Sequence, residues 1–190
     1  MKVQLGVSNR HVHLCLDDYK QLFGEDSELE VVKQLVQPEQ FASSSFVTIK
    51  TAKSEFSKVR VIGPLRNYTQ VEISKSDAIK LGINPPVRDS GDLQNSETVE
   101  IIGPKGSIIK DNCCILANRH LHITPQDRIR YGLTDVEKVV VKTFGEKSAI
   151  LFDVFIKEQE LSALELHLDT DDANANLLKT GDIVEILLNK

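Results

Sequence analysis

The chain lacks the cysteine count of a disulfide-stapled domain: its three cysteines, Cys15, Cys113 and Cys114, make neither a spaced even framework nor a C-x-x-C metal motif. The adjacent Cys113-Cys114 pair reads as strand core, and a reducing cytoplasm is the expected compartment. No apolar run approaches the roughly 20 residues of a membrane-spanning helix, and the N-terminal segment has no signal-peptide layout. There is no basic block, and the formal charge of −5 argues against nucleic-acid binding as the main role. Anionic small substrates are compatible with that balance only if the positive charge that meets them is local. What remains is an ordinary globular composition, 41% hydrophobic and 27% charged, in 190 residues that suit one large or two small domains.

Against this background the five histidines are concentrated in three places. His11 and His13 lie in Asn9-Arg10-His11-Val12-His13, His120 and His122 in Asn118-Arg119-His120-Leu121-His122, and His167 in Leu166-His167-Leu168. On a strand, residues i and i+2 share a face, so each H-x-H can turn two imidazoles toward one ion. A lone H-x-H is as often a chance surface pair. Two near-copies in matching contexts, with the fifth histidine on another apolar strand, make chance a poor account.

The rest of the chain is mostly short β-branched runs: residues 3–7, 47–50, 59–62, 70–73, 99–102, 139–142, 149–152, 154–156, 164–168 and 183–188. Gly-Pro, Pro-Lys-Gly and Lys-Thr-Gly-Asp punctuate them, a pattern of barrels or sandwiches rather than a parallel sheet. The least regular stretches are 25–45 and 84–97, the second being a linker or a site loop. Helical signals are brief and follow each candidate ligand strand. Ser74 to Gly82 and Thr124-Pro125 to Gly132 have a cap and a glycine stop, and Asp169 leads into Ala173 to Lys179. Asp17-Asp18 to Gly24 is similar, with Cys15 where a capping Ser or Thr is expected.

That recurrence exposes an internal repeat. Aligning Val71-Glu72-Ile73-Ser74-Lys75-Ser76-Asp77-Ala78 with Leu166-His167-Leu168-Asp169-Thr170-Asp171-Asp172-Ala173 places Glu72 opposite His167. The spacing is 109 residues from His11 to His120 and 95 from Glu72 to His167, so the loops differ in length. Glu72 alone reads as an outward strand carboxylate; the alignment makes it a ligand. Each half then offers three ligands with an open position, the arrangement of a catalytic rather than a closed structural zinc site. The residues suggest two open transition-metal sites, or one shared site.

The chain resembles the PduL-type phosphotransacylases, or phosphate propanoyltransferases, over essentially its whole length. The resemblance rests on Val7-Ser-Asn-Arg-His-Val-His-Leu14, Gly63-Pro-Leu-Arg66 with Thr69-Gln-Val-Glu-Ile-Ser74, Leu81-Gly-Ile-Asn-Pro-Pro-Val-Arg88 with Ser90-Gly-Asp92, Arg119-His-Leu-His122 with Thr124-Pro125, and His167 with Asp169-Thr-Asp171. It implies a mainly β fold of two six-stranded β-barrels with short capping helices. The first would span residues 10–117, and the second residues 1–9 plus 118–190, including the N-terminal strand. It implies interconversion of acyl-CoA and phosphate with acyl phosphate and CoA. His11, His13 and Glu72 would hold one zinc that receives the CoA sulfur, and His120, His122 and His167 a second that receives water or phosphate. Arg66 matches the phosphate-contacting arginine of the family. A homodimer and association with a bacterial microcompartment are further implications. No amphipathic extension precedes Lys2-Val3-Gln4, so a free cytoplasmic form, or one with that extension removed, is expected.

Arg10 and Arg119 are expected in structural ion pairs facing away from the histidines. Arg88 is a weaker candidate for substrate contact. Glu39, in Gln37-Pro-Glu-Gln-Phe41, replaces an expected glycine. The ligand types also suit cobalt, nickel or iron(II). Two other readings are a cupin-like metal-dependent oxygenase, for which only Asp17 and Asp18 follow the first H-x-H closely, and a non-enzymatic zinc-binding β-barrel module.

Overall fold

Short β-branched runs bounded by turn formers give fourteen strands and four short helices in the computed structural model, which describes residues 1–188. In chain order the first seven strands are β1 (Lys2–Ser8), β2 (His11–His13), β3 (Val31–Gln34), β4 (Phe41–Lys50), β5 (Glu55–Gly63), β6 (Gln70–Glu72) and β7 (Val87–Arg88). The remainder are β8 (Glu97–Ile102), β9 (Ser107–Ala117), β10 (His120–Ile123), β11 (Lys138–Lys142), β12 (Ile150–Glu158), β13 (Glu165–Asp169) and β14 (Ile183–Leu187). The helices are α1 (Leu16–Phe23), α2 (Lys75–Leu81), α3 (Pro125–Arg130) and α4 (Thr170–Ala175).

The chain divides into two compact units. One comprises Asn9–Leu35 and Glu39–Ala117; the other comprises Met1–Ser8, Val36–Pro38 and the residues from Asn118 onward. In the first, β4-β5-β2-β6-β9-β8 closes into a ring by the pairing of β8 with β4, while β3 and β7 add to β4 and β9. In the second, β1-β13-β10-β12-β11-β14 forms a closed barrel. Closure leaves neither ring with a free edge, and both are the six-stranded barrels with short helices that the family resemblance implied.

The two rings share one pairing scheme. The H-x-H strand (β2 or β10) runs parallel to one neighbour (β5 or β12) and antiparallel to the other (β6 or β13). The latter is parallel in turn to β9 or β1. Each half therefore sends the strand that precedes its own H-x-H into the other half's barrel: β1 closes the second ring and β9 the first. Val12, Leu14, Ile49, Val61 and Val71 fill the first barrel, and Leu5, Leu121, Ile123, Leu166 and Val184 the second, all but completely buried. Burial of such aliphatic side chains is the main favourable contribution to folding.

Some local expectations shift. The runs at 149–152 and 154–156 form one strand, β12, which passes through Asp153 at φ 54°. Ser74 caps α2 in a reciprocal box with Asp77, Thr124 caps α3, and the Asp169 side chain caps α4 through the Asp172 amide. Cys15 makes no side-chain cap at α1, as its thiol is a poor acceptor. Helix α4 stops at Ala175 rather than continuing to Lys179, because Leu177 takes φ 54° and the Leu178 amide returns to the Ala173 carbonyl at 2.9 Å. Helix α2 ends the same way, with Gly82 at φ 73° and the Ile83 amide 3.1 Å from the Ala78 carbonyl. Replacing Gly82 with alanine should lower stability by about 1 kcal/mol, whereas Leu177→Gly should raise it by up to about 1 kcal/mol, because only glycine adopts this conformation without strain. Urea unfolding midpoints of the two variants check both signs.

Candidate metal centres

Strand alternation puts Val12 and Leu121 into the barrel cores, which turns the flanking histidines to the opposite face. In the first unit the ladder sets His11 directly across from Glu72, and the His11 Nε2 lies 3.5 Å from the Glu72 Oε2. The His11 Nδ1 donates to the Asn9 carbonyl at 2.8 Å and the His13 Nδ1 to the Ile62 carbonyl at 3.1 Å. A carbonyl only accepts, so both rings keep a lone pair on Nε2, the outer-shell arrangement that orients metal-binding imidazoles. One ligand atom from each of His11, His13 and Glu72 falls within a cluster no wider than 4.8 Å.

Arg66 belongs to the same unit. Its Nη1 donates to the Tyr68 hydroxyl at 3.1 Å and to the Ser90 Oγ at 3.0 Å, and Ser90 donates onward to Glu72 at 3.3 Å. The loop at 84–97, left between linker and site by the sequence, thus supplies a residue at this cluster. Burial, then the neighbouring His11 and Arg66, holds the His13 pKa well below its usual value, with Glu72 opposing.

The second unit repeats the geometry with a different third residue. His120 faces His167 across the ladder, and the His120 Nδ1 donates to the Asn118 carbonyl at 2.7 Å. The lone pair this leaves on the His120 Nε2 points at the His122 Nε2, 3.1 Å away. The three rings meet edge to face, with centroids 4.5 to 5.1 Å apart. His120, His122 and His167 form the second cluster with ligand atoms within 4.8 Å. The His122 Nδ1 is buried with no hydrogen-bond partner, and burial, reinforced by His120 and His167, pushes the His122 pKa down to about 2. Converging imidazoles suit a divalent transition metal, to which each ring can offer a nitrogen lone pair.

The two arginines of the motifs point elsewhere, as expected. Arg10 grips Asp77 through two bonds of 2.9 and 2.6 Å, and Arg119 grips Asp172 at 2.7 and 2.6 Å. These paired bonds tie each H-x-H strand to the helix that follows the third ligand. Arg88 lies 3.4 Å from Asp92 in its own loop. Asp18 is held by Lys110 at 2.7 Å and by Thr69, and neither it nor Asp17 joins a metal cluster among the described residues, which removes the basis for the cupin-like reading.

The phosphate propanoyltransferase family model matches residues 4–179. The chain belongs to the phosphate propanoyltransferase family. It is 50% identical over 185 residues to a phosphate propanoyltransferase of Thermotoga maritima, covering 96% of this chain and 88% of the relative. Relatives of the same name from Rhodopseudomonas palustris and Salmonella arizonae are 46% and 43% identical, over 97% and 91% of this chain and 82% of each relative. Membership makes this chain a phosphate acyltransferase, and therefore an enzyme.

In this family member, sequence reasoning passed over Gln70, Ser90, Gln37 and Glu165, all of which stand at or behind the clusters. The signal for two of them was available: Gln70-x-Glu72 and Glu165-x-His167 have the same i, i+2 relation as H-x-H, and the repeat alignment sets them opposite each other. His13 and His122 are held below the ordinary 6.5 in the folded chain and titrate normally when unfolded. Below that value the unfolded state binds more protons, so the metal-free protein should be fully stabilised by these groups above pH 6.5 and lose that contribution as the pH falls. Each imidazole accounts for up to about 1.4 kcal/mol per pH unit. Urea midpoints of metal-free protein should fall from about pH 7.5 to about pH 5.5, and a midpoint that rises over this interval contradicts the assignment.

Proposed function

We propose that the protein interconverts a short-chain acyl-CoA (acetyl or propanoyl) and phosphate with acyl phosphate and CoA, using one zinc ion at each of the two clusters. The observation carrying this reading is the occurrence of two open three-ligand sets at equivalent positions of a duplicated fold, each with ligand atoms within 4.8 Å. His11, His13 and Glu72 would hold the ion that receives the CoA sulfur, and His120, His122 and His167 the ion that receives phosphate. Bound zinc would supply Lewis acidity, holding a thiol as thiolate and polarising phosphate oxygens.

The chain's own groups do the remaining work. In the forward direction a phosphate oxygen attacks the thioester carbonyl, the carbon–sulfur bond breaks, and CoA leaves as a thiolate. In reverse the thiolate attacks the acyl phosphate and phosphate leaves. Arg66 presents a planar cation to phosphate oxygens in both directions, and its bonds to Ser90 and Tyr68 fix the fork before substrate arrives. Burial keeps His13 and His122 neutral, so they remain available as ligands across the physiological range. The assembly we propose is a homodimer acting in the cytoplasm or in a microcompartment lumen; no described helix is long and apolar enough to cross a membrane.

Purified protein given acetyl-CoA or propanoyl-CoA and phosphate should release free CoA, lose this activity to a chelator and regain it with zinc. His120→Ala should abolish turnover with the circular-dichroism spectrum unchanged, and Arg66→Ala should reduce kcat by about 100-fold or more, as expected for loss of a charge placed at the reacting oxygens. Full turnover in His120→Ala, or in metal-stripped protein, rejects the proposal.

A further inference from the structure

The alternation that sets the two triads also places one more polar residue beside each. Gln70 lies across the ladder from His13, and Glu165 across from His122. They are 0% and 3% exposed. Each is bonded to the third ligand two residues on: the Gln70 Nε2 donates to the Glu72 Oε1, and the His167 Nε2 lies 2.8 Å from the Glu165 Oε2.

Each is also clamped from outside its own strand. The Gly91 amide donates to the Gln70 Oε1 at 2.8 Å, which fixes the direction of that side-chain amide. Glu165 is held by Gln37, from the short Val36–Pro38 segment that belongs to the second unit. The Gln37 Nε2 donates to the Glu165 Oε2 at 2.9 Å and to the Ala163 carbonyl at 3.1 Å, while its oxygen accepts from the Ala163 amide at 3.3 Å. The space around the pair is as restricted as its bonding. A Cβ on Gly6 would fall 2.8 Å from the Glu165 Oε1 and 2.9 Å from the His167 Nε2.

An ionised carboxylate accepts hydrogen bonds and cannot donate them. The Glu165 Oε2 that meets His167 also accepts from the Gln37 amide, the role of an ionised carboxylate oxygen. A neutral His167 ring therefore carries its proton on Nε2. This is the reverse of His11, His13 and His120, whose Nδ1 atoms donate to backbone carbonyls.

We propose that Glu165 is a positioning residue of the second triad: its carboxylate fixes the His167 ring with the proton on Nε2, so that Nδ1 is the nitrogen offered to the metal ion. This rests on the reading of His120, His122 and His167 as a metal site. Each four-residue face then carries one carboxylate in a different place. Glu72 sits in the ligand position with the neutral Gln70 behind it, whereas Glu165 sits behind the neutral His167. The second site keeps three neutral ligands, the stronger Lewis-acid environment and the better match to phosphate oxygens.

Two measurements test this. Nitrogen-15 NMR of metal-free wild-type protein should show His167 protonated at Nε2, and in zinc-loaded protein the metal-bound nitrogen should be Nδ1. Zinc titration against a chromophoric chelator should show two equivalents in wild type, with the second-triad equivalent identified by its absence in His120→Ala. Glu165→Gln, which keeps the shape and removes the charge, should weaken that equivalent alone by roughly 10- to 100-fold, and Gln37→Leu should weaken the same one less. An Nδ1-protonated His167, zinc on Nε2, zinc bound directly by Glu165, or equal losses at both equivalents overturns the inference. Undiminished zinc binding by folded Glu165→Gln overturns it while leaving the metal reading intact. No zinc uptake at the second triad in wild type overturns that reading and the inference together, and the tautomer measurement needs no variant to fold.

Discussion

The cross-strand pairing of each H-x-H strand with the strand carrying the third ligand is the constraint on which both clusters depend. Because side chains alternate strictly, fixing one residue pair fixes four side chains on the same face. The pair His11–Glu72 brings His13 and Gln70 with it, and the pair His120–His167 brings His122 and Glu165. A slip of one residue on either ladder would send the histidines into the core and Val12 or Leu121 out of it. The hydrophobic requirement of each barrel thus enforces the geometry of the candidate ligands, and no separate device is needed to hold the register.

Three imidazoles meet edge to face in the second unit, with the His120 and His122 Nε2 atoms at a hydrogen-bond distance of 3.1 Å. Each cluster is held from several directions. Ring closure, backbone carbonyls on the Nδ1 atoms of His11, His13 and His120, and the buried Gln70 and Glu165 all act on the same few side chains. The paired bonds of Arg10 with Asp77 and Arg119 with Asp172 fasten the start of each ligand strand to the capped helix beyond the third ligand. The arginine–aspartate pair and the carbonyl on the first histidine of each H-x-H recur in both units. What differs is the location of the carboxylate, at Glu72 in the first cluster and at Glu165, behind His167, in the second.

Much of this was legible in the chain. Two-residue periodicity around His11, His13, His120 and His122 needs no tertiary information, and the repeat alignment found the Glu72–His167 equivalence that the ladders display. Turn spacing and β-branched runs narrowed the class to barrels or sandwiches, and the family resemblance chose between them. Other features depend on pairing between distant segments, which local pattern does not encode. The exchange of β1 and β9 between rings is one, and the docking of Gln37 on Glu165 is another. Leu177 ends α4 in a conformation its side chain disfavours, so a reading based on glycine stops ran on to Gly181. Gln70 and Glu165 look like ordinary strand polar residues until the register shows which face they occupy.

The most direct test is anomalous diffraction at the zinc edge from crystals of the zinc-loaded protein grown with CoA. The account predicts two zinc peaks per chain, at about 2.0–2.2 Å from the ligand atoms of His11, His13 and Glu72 and of His120, His122 and His167 respectively. CoA sulfur should occupy the open position of the first. Metal bound at other side chains, or these six residues without an anomalous peak, would contradict it.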